Sequence, residues 1–261
     1  MEHKIYKAIA IVSEIMEDTR ILSCQDIQDK IKKIKLIIMF KKYNLIDNFK
    51  KCVKGYHLIN SCAINEKIWE NINVSIFSYS GIYISYNSEG SHLSGRDIIC
   101  SIGSFSNKSA KYNSNKTYFD ISSYRLTTIC SENNMGTEEK IIEEINKRKN
   151  FDFYSFIIRY ETKESILYDW IIIPSNHDIF NPSKYTWKKT LGKRGKNKDT
   201  QIGWNTNTIK GCKMSISFQM SSQLWIHIKT EEIKKFIMSS TIVNTTPKYN
   251  YIELYNKSCV N

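Results

Sequence analysis

The sequence predicts a mixed α/β protein with a helical N-terminal portion. Three observations predict it. Apolar residues recur at helical spacing up to about residue 55. From about Val74 the period falls to two, and an amphipathic helix with an acidic first turn interrupts the strands after Thr137. The chain is expected to divide into residues 1–73, 74–175 and 176–261.

In residues 2–18, Ile5, Ile9, Val12, Ile15 and Met16 share a helical face. Ser23 can cap a second helix with Ile27, Ile31, Ile34 and Ile38 on one side, continuing through Leu45 and Phe49 to Gly55. VSIFSY (74–79) and GIYISYN (81–87) read as strands. The GIY string has no YIG downstream, which excludes the nucleases that carry both. Ser122 to Ile129 fits a strand or a short helix. Thr137 caps a helix over 137–149 whose first turn holds Glu138 and Glu139, where carboxylates oppose the helix dipole. FYSFIIRYE (153–161) and SILYDWIII (165–173) are two core strands joined by a charged turn. Beyond Pro174 come a basic stretch (184–198), alternating strands at KMSISFQM and QLWIHIK, a helix from Thr230, and an irregular end with room for one edge strand.

The 261 residues carry a formal net charge of +12, which favours a polyanionic partner such as nucleic acid or an anionic surface. The N-terminus is charged throughout, unlike a signal peptide, and no apolar run approaches a membrane span, so no membrane partner is expected. Seven cysteines, an odd number without CxxC spacing, point to free thiols in a reducing, cytoplasmic setting.

Ser91 to Arg125 holds the chemistry. Gly103-Ser104 suits a tight hairpin turn with glycine at the first central position. That turn sets Asp97 opposite residues 110–111, beside Ser109 and Lys111, with Lys108 on the opposite face. A turn near Ile102 would bring Ser106-Asn107-Lys108 to Asp97 instead, but would leave Gly103 without a role, so Lys111 is preferred. An acid and a lysine on adjacent strands suit metal-dependent phosphodiester hydrolysis: the carboxylate holds a divalent cation and the lysine orients water beside a phosphate.

This acid–hairpin–lysine arrangement between helices resembles the PD-(D/E)xK nucleases, which include many type II restriction endonucleases, over residues 75–175 at most. In that family a strand-borne Asp is followed by a second acid and a Lys two residues on. Here Arg96 stands before Asp97 where Pro is usual, and Ser109 stands where the acid is expected. The resemblance implies a restriction-endonuclease-like mixed sheet flanked by helices, with residues 74–175 as its catalytic core and a Ser-x-Lys variant of the motif. It implies site-specific, Mg²⁺-dependent cleavage of double-stranded DNA within a restriction-modification system, by Asp97 as metal ligand with Ser109 and Lys111. A further carboxylate would come from Glu132, Glu138, Glu139, Glu143 or Glu144, a choice left open. A homodimer would match a palindromic site.

DNA contacts are expected from Lys108, from Ser123 and Arg125 beside Ser122 and Tyr124, and from Lys188, Lys193, Arg194 and Lys196 in a mobile basic loop with Tyr185 and Trp187. Asn205, Asn207, Gln219 and Gln223 can read base edges, which makes residues 176–261 the recognition part. A second reading is a non-catalytic nucleic-acid-binding protein that works through the 184–198 loop, and a third is an interaction or structural protein whose charge serves only solubility.

Overall fold

The structure is a computed structural model, and it describes Leu36 and residues 38–87 and 95–259. The helix expected over 2–18 and the start of the one that Ser23 was expected to cap lie outside these residues. The chain forms two compact units, 1–47 and 48–261. In the first, residues 38–42 are helical and end in a turn where Asn44 is left-handed, φ 54°. Helix α1 (Leu45–Tyr56) leads into the second unit.

Helix α2 (Glu66–Tyr79) overturns the strand expected at 74–79. Asn65 caps it, accepting the Ile68 N–H at 3.0 Å. Trp69, Ile72, Asn73, Ile76 and Phe77 are buried at three- and four-residue spacing. The β-branched run Val74 to Phe77 imitates a strand, but the cap and the longer period prevail. The boundary expected at 73/74 therefore falls inside a helix.

Strands β1 (Ile84–Asn87), β2 (Ile98–Cys100) and β3 (Gly103–Lys111) follow, and β4 (Tyr118–Arg125) settles the strand-or-helix choice at residue 122. Thr137 caps α3 (Glu138–Arg148) as expected. The two core strands are β5 (Phe153–Glu161) and β6 (Ser165–Pro174). Then come β7 (Trp187–Leu191), β8 (Gln201–Thr206), β9 (Lys213–Ser217) and β10 (Gln223–Lys229). A single turn, α4 (Thr230–Ile233), precedes β11 (Ile237–Asn244), the edge strand for which the end of the chain had room, and α5 (Tyr251–Ser258), a helix where irregular chain was expected.

One sheet has the order β1-β2-β3-β5-β6-β11 and the other β4-β10-β9-β8-β7. The first is mixed: β3 and β5 run parallel, with α3 in the connection between them, and the other pairs are antiparallel. The second is antiparallel throughout. On one face of the first sheet, Phe49 of α1 and Trp69 of α2 meet Trp170 at 5.2 and 6.0 Å between ring centres. On the other face, Phe156, Ile158, Ile171 and Ile173 share a core with Ile141 and Ile145 of α3 and with Ile121, Trp204, Ile216 and Ile226 of the second sheet. The layers are thus helices, mixed sheet, then α3 with the second sheet. Cys52, Cys62, Cys100, Cys130, Cys212 and Cys259 are free thiols. Among the described residues no helix is long and apolar enough to cross a membrane.

Candidate active site

The site forms where β2 stops short of β3. The pairs Ile98–Phe105 and Cys100–Gly103 put a two-residue turn at Ser101-Ile102 and set Asp97 level with Ser106. From Ser106 onward β3 keeps β5 as its strand neighbour. Asp97 takes over where β2 ends: its N–H donates to the Phe105 carbonyl at 2.9 Å. Its Oδ2 accepts the Asn107 N–H at 2.5 Å and the Ser106 hydroxyl at 3.4 Å. The carboxylate thereby satisfies a backbone donor on β3 that a longer β2 would have paired.

The side chains of β3 alternate about this point. Asn107 and Ser109 face α2: Asn107 Oδ1 accepts from Asn73 at 2.6 Å, and the Ser109 hydroxyl donates to the Ile64 carbonyl at 3.1 Å. Lys108 donates to Glu66 Oε1, in the first turn of α2, at 2.7 Å. Its side chain is 12 % exposed and that of Glu66 40 %. Glu70 lies one turn further along α2, on the same face as Glu66.

Charge in this cluster is shared. Burial pushes the Asp97 carboxyl up and Glu66 adds to the rise, against the opposing pull of Lys108 and the Asn107 N–H. Burial, with Asp97 and Glu66 nearby, pushes Glu70 up to about 7. Burial would push the Lys108 ammonium down, but Glu66, Asp97 and Glu70 outweigh it and hold it above the usual lysine range. The group therefore keeps the Lys108 cation, and Glu70 is only partly ionised near neutral pH.

The register expected at Gly103-Ser104 is corrected here. Lys108, not Lys111, belongs with Asp97, and Ser106 holds the place given to Ser109. Lys111 pairs with Glu161 at 2.5 Å and is 52 % exposed. Ser109 accepts from Arg159 as well as donating to Ile64. Gly103 is used one residue later than a turn would use it, as the first residue of β3. Its φ is +136°, and a Cβ there would lie 3.2 Å from the Phe153 ring. Ser104 is tied to Asp152, whose Oδ2 accepts its N–H at 2.9 Å and its hydroxyl at 2.7 Å. Gly103-Ser104 thus starts the parallel pairing with β5.

The acids coupled to Asp97 come from α2, not from α3 or the loop before it, where Glu132, Glu138, Glu139, Glu143 and Glu144 stand. Glu144 instead pairs with Arg148 at 2.5 Å. Reading 74–79 as a strand hid α2. The spacing of Glu66 and Glu70 behind the Asn65 cap is the signal that could have revealed them. The Tyr124 hydroxyl of β4 lies 3.2 Å from where a Gly95 side chain would begin, and the charges of Asp97 and Arg148 both act on it.

The expected DNA-contacting residues divide. Lys188, Lys193, Arg194, Arg125 and Asn205 are exposed. Asn207 is used within the fold, its Oδ1 accepting the Thr186 N–H at 2.9 Å, and Gln223 donates to the Ser123 carbonyl at 2.7 Å. The Ser123 hydroxyl is buried beside the Tyr124 and Tyr154 hydroxyls. The 184–198 stretch is no open loop. It holds β7 and a turn containing Lys196, closed by Gly192 N–H to Thr200 O at 2.9 Å and Asp199 N–H to Gly192 O at 3.0 Å. Tyr185 and Trp187 are buried in the core, so they offer no stacking surface. Burying these rings is what converts a basic stretch into a hairpin.

Among the described residues, no three His, Cys, Asp or Glu side chains are already gathered as a metal cage. Mg²⁺ does not require one. It is commonly held by one or two carboxylates, with water and phosphate oxygens completing the shell. Asp97 and Glu70 are hard oxygen donors: burial raises both carboxyls, and Asp97 adds to the rise of Glu70.

No protein-family model matches the sequence, and neither a curated protein nor a solved structure matches the chain.

Proposed function

We propose that this protein is a Mg²⁺-dependent endonuclease acting on double-stranded DNA, of the type II restriction class, with Asp97, Glu70 and Ser106-x-Lys108 as its site. The observation that carries the reading is Asp97 bound to the N–H of Asn107 beside a Lys108 ammonium that three carboxylates keep charged. The architecture is compatible with it: helix α2, the antiparallel strands β1 to β3, then β4, helix α3 and β5 parallel to β3 give a mixed sheet flanked by helices.

Asp97 and Glu70 would hold the ion, which when bound lowers the pKa of coordinated water and offsets charge on phosphate oxygens. Asn107 aims the Asp97 carboxylate through the Oδ2 bond. Lys108 opposes negative charge growing on the phosphoryl oxygens as the water oxygen bonds to phosphorus and the ester P–O bond breaks. Once holding the ion, Glu70 would be a carboxylate ligand, so the attacking water would pass its proton to solvent and the leaving oxygen would take one from solvent. Ser106 replaces a second acid and holds Asp97 by its hydroxyl. The exposed cations Lys188, Lys193 and Arg194, and the net charge of +12, favour a polyphosphate substrate. A homodimer on a palindromic site belongs to the same proposal.

The test is incubation of purified protein with plasmid DNA and Mg²⁺. Discrete fragments that vanish with chelator are expected. Intact plasmid, or cutting that persists in Asp97→Ala, would overturn the reading.

A further inference from the structure

One row of α2 runs from the site into the core. Glu66, Glu70, Asn73 and Phe77 follow one another at helical spacing on one face. Opposite them on β3, Phe105 and Asn107 face the helix. Phe77 meets Phe105 at 5.1 Å between ring centres, and Asn73 Nδ2 donates to Asn107 Oδ1 at 2.6 Å. The spacings match, since four helical residues rise about 6 Å and two strand residues about 6.8 Å. The charged end of the row then comes level with Lys108, which Glu66 binds at 2.7 Å.

The Asn73–Asn107 contact is a polar one set among the buried rings of Trp69, Phe77, Phe105 and Trp170. Both residues are 0 % exposed, as is Ser155, whose hydroxyl accepts from Asn73 at 3.0 Å and from the Trp170 indole at 3.1 Å. Trp69 donates to the Ser155 carbonyl at 3.0 Å. Even so, Asn73 Oδ1 and Asn107 Nδ2 have no hydrogen-bond partner. Two unsatisfied buried amide atoms weigh against stability. Apolar side chains would fill the same space without that penalty, but they would also let the helix slide or turn. A hydrogen bond has one register, which is how a single buried polar residue fixes the alignment of packed helices.

We infer that Asn73 and Asn107 form a register key that holds α2 at the rotation and height placing Glu66 and Glu70 against Lys108 and Asp97. They are positioning residues. Asn107 serves both sides, because its backbone N–H aims Asp97 while its side chain aims the helix bearing the other acids. The inference rests on the proposed active site for its consequence in catalysis, and on the hydrogen bonds alone for its structural part.

The test is the double variant Asn73→Leu/Asn107→Leu, which removes both polar groups together. It is expected to melt at or above the wild-type temperature. It should nonetheless lose at least tenfold in kcat for DNA cleavage with KM for DNA within twofold of wild type, and bind Mn²⁺ at least tenfold more weakly in the absence of DNA. A double variant with wild-type kcat and Mn²⁺ affinity would overturn the inference. If it does not fold, Asn73→Ser carries the same two readouts and the same overturning result. A third measurement needs neither metal nor DNA: Glu66→Gln should lower the melting temperature in the wild-type background and leave it unchanged in the Leu/Leu background. Additive effects would overturn the key. If the wild-type protein cuts no DNA, the proposed function fails while this cycle still decides the inference.

Discussion

Asn107 donates its backbone N–H to Oδ2 of Asp97 at 2.5 Å, and Asn107 stands next to Lys108 in the chain. The acid is thereby bound to the strand residue adjoining the lysine, whatever the loop before Asp97 does. Because side chains alternate along β3, this bond assigns Lys108 to the acid and leaves Lys111 to Glu161 at the far end of the strand.

The two lysines should therefore behave differently. Lys108→Ala is expected to lower the cleavage rate by on the order of 10²–10³, the usual loss for one charge-stabilising donor. Lys111→Ala should leave it within about twofold, since it breaks only an exposed ion pair. Single-turnover cleavage of a plasmid measures both. Equal losses would reverse the assignment.

Glu70 makes stability depend on pH. Its pKa rises from 4.5 to about 7 on folding, so between these values the folded state holds the extra proton. Stability is then expected to fall as pH rises through this window, and the raised Asp97 carboxyl acts in the same direction. Glu70→Gln should raise the melting temperature at pH 8, by a few degrees at about 2–4 °C per kcal/mol. At pH 4 it should have little effect. Mg²⁺ added at pH 8 should stabilise the wild type more than the variant. A flat melting temperature from pH 4.5 to 8 in the metal-free wild type would contradict this.

The β7–β8 hairpin offers exposed Lys188, Lys193 and Arg194. Replacing all three by Ala is expected to weaken binding to every DNA sequence alike. The slope of log K against log salt should flatten by about 0.9 for each phosphate that the protein no longer neutralises. Asn205→Ala should instead relax preference at particular base pairs. Fluorescence anisotropy at several salt concentrations separates the two outcomes, and an unchanged slope in the triple variant would remove the hairpin from the interface.

Asn65 caps the helix that carries the acids, through a 3.0 Å bond from the Ile68 N–H. Asn65→Ala is expected to cost about 1 kcal/mol, within the usual range for a missing cap. It should also reduce cleavage more than it reduces DNA binding, because Glu66 is the first residue after the cap. Denaturant melts with parallel binding and cleavage assays would show it, and equal losses in both would make the cap purely structural.

Elements whose signals are local were legible along the chain. Thr137 with its acidic first turn marks α3, and the runs at 153–161 and 165–173 are continuous enough to be core strands. An acid before a hairpin and a Ser-x-Lys after it were legible in the same way. The register was not, because Ser106-x-Lys108 and Ser109-x-Lys111 are the same pattern three residues apart. Local turn preference favoured the wrong one. Tertiary contacts select the other: Gly103 is needed against Phe153 and Ser104 against Asp152, both across the parallel β3–β5 pairing. Packing likewise makes Val74 to Tyr79 a helix, by burying Asn73, Ile76 and Phe77 on one side against the mixed sheet, and so brings Glu66 and Glu70 to the site. It also makes Tyr185 and Trp187 core residues and not part of a basic loop. In each case the deciding contact joins residues distant in sequence, and a contact of that kind leaves no trace in the spacing of neighbours along the chain.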